Sequence, residues 1–349
     1  MRVLKQVLGV DVAQKELVVT LGVLNEDLSI DFLLHRVFHN KETGFVALLK
    51  WLKKHTDESI KLQVVMEATG VYHQKFAYYL DDNNISLCIV LPNKISSYLR
   101  TLETKTITDK TCSEAIAHFG LSRKLDNWTR PNKTYKVLQQ LTRERDQLVF
   151  ERTTIKNQIH AEESESEPNS SSVKRFNARI KFINKQEKEI KKEIDKWLNS
   201  DERIKGQVEK ITTIPGIGQL TAVTILAETN GFELIRNKKQ LTSYAGFDVK
   251  EKQSGTSVKG KPKISKRGNR YLRKCMHLPS LSAVKYNETY KDLYARIVSK
   301  SGVKMKALIA VQRKMLELTY VIFKNNTVFE QDYEAKKRVL LLGEDTLTS

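Results

Sequence analysis

Three carboxylates in this sequence have the type and setting for chemistry on phosphate. Asp11 interrupts the apolar run Val7-Leu8-Gly9-Val10-Asp11-Val12, Glu67 directly follows Leu62-Gln63-Val64-Val65-Met66, and Asp109 stands where a helical pattern begins. A lone carboxylate in a buried strand is costly unless it is paired or binds a metal. Three that converge supply hard oxygen ligands for Mg²⁺, which can clamp the attacking and leaving oxygens of a phosphodiester. Taken singly, Asp11 also fits a strand-end carboxylate bonded to backbone, and Asp109 fits a helix N-cap.

A fourth group, Ser254, lies in Gln253-Ser254-Gly255-Thr256 inside the most basic stretch of the chain. A serine beside glycine in a loop is ordinarily a turn residue. Among cations that neutralise phosphate, its hydroxyl can also serve as a nucleophile, and Ser257 and Ser265 compete for that role. From Lys250 to Lys274 the stretch holds ten basic residues against the single acid Glu251. Lys259, Lys263, Lys266, Arg267, Arg270 and Arg273 are its candidate phosphate contacts. The whole chain has 60 Lys and Arg against 41 Asp and Glu, a net charge of +19, which favours a polyanionic partner through counterion release. Tyr244, Tyr271, Tyr286, Tyr290 and Tyr294 accompany these cations, and most suit helix packing better than base stacking.

The elements that must position these groups follow from periodicity. Val7 to Val12, Glu16 to Leu24 and Phe32 to Phe38 read as three β-rich runs, followed by a helix through Phe45, Leu48, Leu49 and Leu52. A buried strand at Leu62 to Met66, a helix at Tyr72 to Leu80, a strand at Ile85 to Leu91 and a helix from Asp109 to Phe119 complete a mixed α/β sheet of the ribonuclease H kind. Tyr135 to Trp197 is long, charged and helical; Leu138, Leu141, Leu148, Ile155 and Ile159, then Ile180, Ile183, Ile190 and Ile194, suggest a coiled-coil seam. The polar break around Pro168 divides it into a hairpin or two diverging helices. Ile214-Pro215-Gly216-Ile217-Gly218 fits either a helix-hairpin-helix turn, whose NH groups can hold a phosphate, or an ordinary tight turn. The expected domains are 1–125 with the mixed sheet, 130–205 with the coiled-coil hairpin, 206–330 with the basic segment, and a tail, 331–349.

Other classes recede. No run approaches the roughly 18 apolar residues that cross a bilayer, and the N-terminus runs into a strand without a signal-like apolar region, so a cytoplasmic location is expected. Cys88, Cys112 and Cys275 are widely spaced and show neither a disulfide framework nor a zinc pattern. His35 and His39 sit four apart in an extended segment, too distant to share a metal.

The motifs Val10-Asp11-Val12-Ala13-Gln14-Lys15, Met66-Glu67-Ala68-Thr69-Gly70, Thr108-Asp109-Lys110, Thr213 to Gly218, Tyr244-Ala245-Gly246, Gln253 to Thr256 and Ile264 to Arg273 occur in one order from about residue 7 to about residue 325. In that order they resemble the DEDD-type insertion-sequence transposases of the IS110 family. The resemblance implies a RuvC-like N-terminal domain, a coiled-coil middle and a mostly helical C-terminal transposase domain with a nucleophilic serine at Ser254. It also implies Mg²⁺ on Asp11, Glu67 and Asp109, a structured bridge RNA that pairs with donor and target DNA, and a tetramer with composite active sites. One position departs: the family's second Asp, three residues after the first, is here Cys112. Residues i and i+3 share a helix face, so Cys112 should point to the site and Glu114 away from it, although a thiol is a poor ligand for Mg²⁺. A RuvC-like metal nuclease that uses water, and an inactive nucleic-acid-binding protein, are the alternatives.

Overall fold

Apolar, β-branched runs at the N-terminus build the sheet that their alternation predicts. Strands β1 (Val3–Val12), β2 (Glu16–Asn25) and β3 (Ile30–His39) form an antiparallel meander. Helix α1 (Glu42–His55), strand β4 (Leu62–Glu67), helix α2 (Gln74–Asp82), strand β5 (Leu87–Val90) and helices α3 (Pro92–Leu99) and α4 (Asp109–Leu121) follow. The five strands run in the order β3-β2-β1-β4-β5, with β4 parallel to both β1 and β5. This is the mixed sheet of ribonuclease H-like folds. The computed structural model describes residues 2–68, 70–102, 106–233, 235–251, 253–254, 258–260 and 263–331.

Both faces of the sheet are covered. Leu8, Val10, Val64 and Met66 pack with Phe45, Leu48, Trp51, Phe76 and Leu80 from α1 and α2. Val7 and Val65 pack on the other face with Ile95, Ile116, Phe119 and Leu121 from α3 and α4. Helix α4 lies unusually close to β1. A Cβ at Gly9 would stand 2.3 Å from the Ala117 nitrogen, and one at Gly120 would stand 2.8 Å from methyls of Val7 and Val65. Glycine at both positions lets helix backbone and strand backbone meet, and the buried Thr20 and Ser113 hydroxyls share a hydrogen bond of 2.7 Å across the contact.

By contact density the chain divides into two compact units, residues 1–130 and 131–349. The second begins with two long helices, α5 (Lys133–Glu163) and α6 (Ser170–Asn199), each capped by an asparagine side chain. They fold back on each other along Leu141, Leu148 and Ile155 against Ile183, Ile190 and Ile194. Glu187 crosses the seam to Arg145 and Arg152 and also meets Lys191. Burial raises its carboxyl, but hydrogen bonds from Arg152 and Lys191 and the guanidinium charges outweigh this and bring it down to about 2.

Helices α7 (Glu202–Thr212), α8 (Gln219–Glu228) and α9 (Lys238–Ala245) come next, then four two-residue strands. Strand β6 (Val249–Lys250) pairs with β9 (Lys263–Ile264), and β7 (Gln253–Ser254) pairs with β8 (Val258–Lys259), both antiparallel. The segment expected as an open loop therefore carries ladders. Helices α10 (Arg270–Cys275), α11 (His277–Tyr286), α12 (Glu288–Ser301) and α13 (Lys304–Asn325) complete the described unit. The Pro215-Gly216 turn joins α7 to α8; Gly216 has φ +89°, and a Cβ there would lie 2.6 Å from the Pro279 carbonyl. That turn is packed against α11.

Candidate active site and basic loop

Asp11 lies near the end of β1 and Glu67 ends the parallel neighbour β4, with Val10 opposite Met66 in register. By the two-residue alternation, Asp11 shares a face with Val7 and Gly9, and Glu67 with Val65, the face that α4 covers. Thr108 caps α4 in a reciprocal pair with Thr111, so Asp109 is the first helical residue and not the cap. The close approach at Gly9 brings the first turn of α4 toward the strand ends.

The electrostatics record this convergence. Asp11 is pushed up to about 6, first by burial and then by the charges of Asp109 and Glu67. Cys112, one turn further along α4, is raised by burial and then by Asp11, Glu67 and Asp109. Glu114 instead faces Lys110 at 3.8 Å. Among the described residues, no three His, Cys, Asp or Glu side chains stand at distances that would hold a metal ion. Asp11, Glu67 and Asp109 are the hard-oxygen groups that would hold a divalent cation there, and such an ion would offset the charges of Asp109 and Glu67 that add to the effect of burial on Asp11. The thiol of Cys112 adds no hard ligand.

The second unit assembles the basic motifs. Gly246, at φ +73°, ends α9, and its carbonyl accepts the Lys266 NH at 3.1 Å. The Tyr244 carbonyl accepts the Asn269 NH at 2.7 Å, and Arg273 donates to the Ala245 carbonyl at 2.7 Å. Tyr244-Ala245-Gly246 and Ser265 to Arg273 thus form one folded unit. Lys263, Lys266, Arg267 and Arg270 are exposed around it, whereas the Arg273 guanidinium is turned onto backbone. Ser265 donates to Asp248 and accepts from the Arg267 NH, so its hydroxyl holds the turn. Ser254 and Lys259 are placed by backbone only, in β7 and β8, and Ser257 lies outside the described residues.

A residue that sequence reasoning passed over holds this unit together. Glu228 ends α8 with a fully buried side chain, accepting from Arg143 Nε and Nη2 at 2.7 Å each and from Asn269 Nδ2 at 2.6 Å. The Arg143 guanidinium lies 4.6 Å from the Tyr271 ring centre, and that of Arg270 lies 5.0 Å from it. The available signal is an acid closing the apolar run Thr221-Ala222-Val223-Thr224-Ile225-Leu226-Ala227.

A ribonuclease H-like sheet with carboxylates at its central strand ends, followed in the chain by a helical unit with a folded basic segment, is an arrangement suited to chemistry on a polyanion. A DEDD-type IS110 transposase model matches residues 8–162, and the model of the transposase IS116/IS110/IS902 family matches residues 208–295. Together they cover more than half of the sequence, and the chain belongs to the IS110 family of transposases. The pilin gene-inverting protein of Moraxella lacunata is 26% identical over 297 residues, 84% of this chain and 90% of that protein. The uncharacterized 43.6 kDa protein of insertion element IS110 from Streptomyces coelicolor is 26% identical over 120 residues, 34% of this chain and 29% of that protein. Among solved structures, T. thermophilus RuvC in complex with a Holliday junction substrate is 12% identical, covering 35% of this chain and 99% of that one, with a TM-score of 0.25. Among the described residues no helix is long and apolar enough to cross a membrane.

Proposed function

We propose that this transposase cuts and exchanges DNA strands through a covalent phosphoserine link at Ser254, with Asp11, Glu67 and Asp109 holding Mg²⁺. The observation that supports the proposal is the placement of Asp11 and Glu67 at the ends of the adjacent parallel strands β1 and β4, on the sheet face that α4 covers, with Asp109 in the first turn of that helix. Bound cations would supply neutralisation of the phosphate oxygens. In the transfer, the Ser254 oxygen bonds to phosphorus, its proton passes to a base, and the phosphorus bond to a deoxyribose oxygen breaks, releasing a sugar hydroxyl. Attack by a hydroxyl of another strand end then frees the serine, which recovers a proton. Lys259, Lys263, Lys266, Arg267 and Arg270 neutralise phosphates, while Arg273 shapes the loop that presents them. Donor and target DNA, a structured bridge RNA and a tetramer complete the proposal.

The test is a labelled DNA duplex incubated with protein and co-purified RNA, then denatured and examined for a protein-DNA adduct. An adduct that vanishes in Ser254→Ala while binding persists supports the proposal. An adduct retained by Ser254→Ala moves the nucleophile to another residue. Because the whole carboxylate cluster lies within residues 1–130, a nuclease that uses water is the second reading. Divalent-dependent nicking without any adduct would favour it, and neither nicking nor adduct would favour a binding protein.

A further inference from the structure

The loops that leave β1 and β4 are held by a residue of neither strand, Asn40, which follows β3. Its Nδ2 donates to the Ala13 carbonyl at 2.8 Å and to the Tyr72 carbonyl at 3.2 Å. Ala13 lies two residues after Asp11, and Tyr72 five residues after Glu67. One amide therefore ties together the backbone just beyond both strand-borne carboxylates. Its own backbone is anchored, because the Asn40 NH donates to the Lys15 carbonyl at 2.8 Å and extends the ladder in which Glu16 faces His39. The same turn is closed by the Ala13 NH, which donates to the Glu16 carbonyl at 2.9 Å.

The oxygen of that amide says what the residue is for. Asn40 Oδ1 is buried and has no hydrogen-bond partner among the described residues. A buried acceptor left unpaired is destabilising, so the side chain is not placed to satisfy its own polar groups. What it supplies is two N–H donors aimed at two carbonyls. An aspartate there would donate to neither, and a serine could donate only once.

We propose that Asn40 is a positioning residue for the carboxylate pair: by fixing the chain after Asp11 and after Glu67, it holds the spacing of the two carboxyl groups on which a bound divalent ion depends. Groups that orient metal ligands without touching the ion contribute much of a site's affinity. The role rests on the reading that Asp11 and Glu67 hold such an ion.

Mn²⁺ is the probe, its free fraction read by electron paramagnetic resonance on the full chain and on Asn40→Ala, Asn40→Ser, Gln6→Ala and Asp11→Asn. Gln6 is the control for lost stability alone, since it is buried in the first half of β1 and its side chain bonds the backbone of Asp57, away from both loops. Asn40→Ala should weaken Mn²⁺ binding about tenfold, and Gln6→Ala should stay within about twofold of the parent even where its Tm falls as far. Asn40→Ser should also weaken binding, and it carries the same comparison where Asn40→Ala does not fold. In the metal-free chain, hydrogen exchange at the Ala13 NH should quicken at least about tenfold in the Asn40 variants and not in Gln6→Ala. Unchanged exchange overturns the proposal, as does a loss of Mn²⁺ binding that Gln6→Ala reproduces. Mn²⁺ binding that Asp11→Asn removes and the Asn40 variants keep overturns the role of Asn40 alone. A parent that binds no Mn²⁺, or whose binding survives Asp11→Asn, overturns the metal site and this role with it.

Discussion

Glu228 and Asn269, separated by 41 residues in sequence, are joined by a hydrogen bond of 2.6 Å that fixes the start of α10. The Asn269 oxygen accepts the NH groups of Tyr271 and Leu272, so one side chain both caps the helix and binds the buried acid. Glu228→Ala should destabilise the second unit by on the order of 3 kcal/mol, because it strands Arg143 and the Asn269 amide together. Asn269→Ala, which removes a cap and one partner, should cost on the order of 2 kcal/mol. Thermal unfolding of both variants checks the ranking; equal or negligible losses would remove Glu228 from its central place.

Asp11 gives the metal-free protein a definite pH dependence. Its folded carboxyl keeps its proton to about 6, above the ordinary 3.8 of the unfolded chain. Between these values the native state binds more protons than the unfolded state, so this contribution to stability falls as pH rises from about 4 to about 6. Asp11→Asn should therefore raise the Tm measured at pH 7 in chelator and flatten this part of the profile. A variant that melts lower than the parent at pH 7 would mean that the carboxylate is stabilised as an anion.

Burial, and then the charges of Asp11, Glu67 and Asp109, raise the Cys112 thiol, so Cys112→Asp would set a fourth hard oxygen beside them. Without metal the added charge should lower Tm; with Mg²⁺ titrated in, the gain in Tm should exceed that of the parent and of Cys112→Ser. Glu114→Ala should leave the Mg²⁺ response unchanged, because Glu114 faces Lys110. A Cys112→Asp chain with no extra Mg²⁺ response would place residue 112 outside the metal site.

Gly9 sets how close α4 comes to the sheet. A methyl there would stand 2.4 Å from the Ser113 carbonyl oxygen and 2.3 Å from the Ala117 nitrogen, both backbone atoms. Gly9→Ala should push α4 outward, cost on the order of 3 kcal/mol and draw Asp109 away from Asp11. The Asp11 carboxyl, followed by carbon-labelled NMR, should then titrate lower than in the parent. A carboxyl that titrates as before would separate the helix position from the electrostatics.

The exposed cations of the basic segment should appear in the salt dependence of binding. Each phosphate contact on duplex DNA contributes about -0.9 to the slope of log K against log salt. Lys263→Ala, Lys266→Ala and Arg267→Ala combined should flatten the slope, whereas Arg273→Ala should chiefly lower stability, since its guanidinium holds the Ala245 carbonyl. An unchanged slope in the triple variant would turn those three residues away from DNA.

The carboxylates are legible in the sequence because a charge in an apolar strand stands out and strand alternation assigns its face. The placement of Cys112 over Asp109 follows from helix spacing in the same way. Gly9 and Gly120 are not legible, since a glycine inside a strand or helix reads as a weak point until the backbone that crosses it is known. Glu228 depends on Arg143, 85 residues earlier, and no periodicity links them. The β6 to β9 ladders escape because two-residue strands are too short to show an alternation. The ends of Gln74–Asp82 and Leu87–Val90 differ by about two residues from the expected ones, and α3 has no counterpart among the expected elements.

The hairpin of α5 and α6 is tied to the rest of the second unit near its base. Arg143 grips Glu228 early in α5, and Lys274 of α10 grips Asp146 one turn later, while twenty residues of helix, about 30 Å, continue beyond Arg143 to Glu163. The contacts between the hairpin and the α10 cap therefore gather at its base, where Glu228 links Arg143 of α5 to Asn269. A single buried acid thus ties the long hairpin and the folded basic segment to the same point of α8.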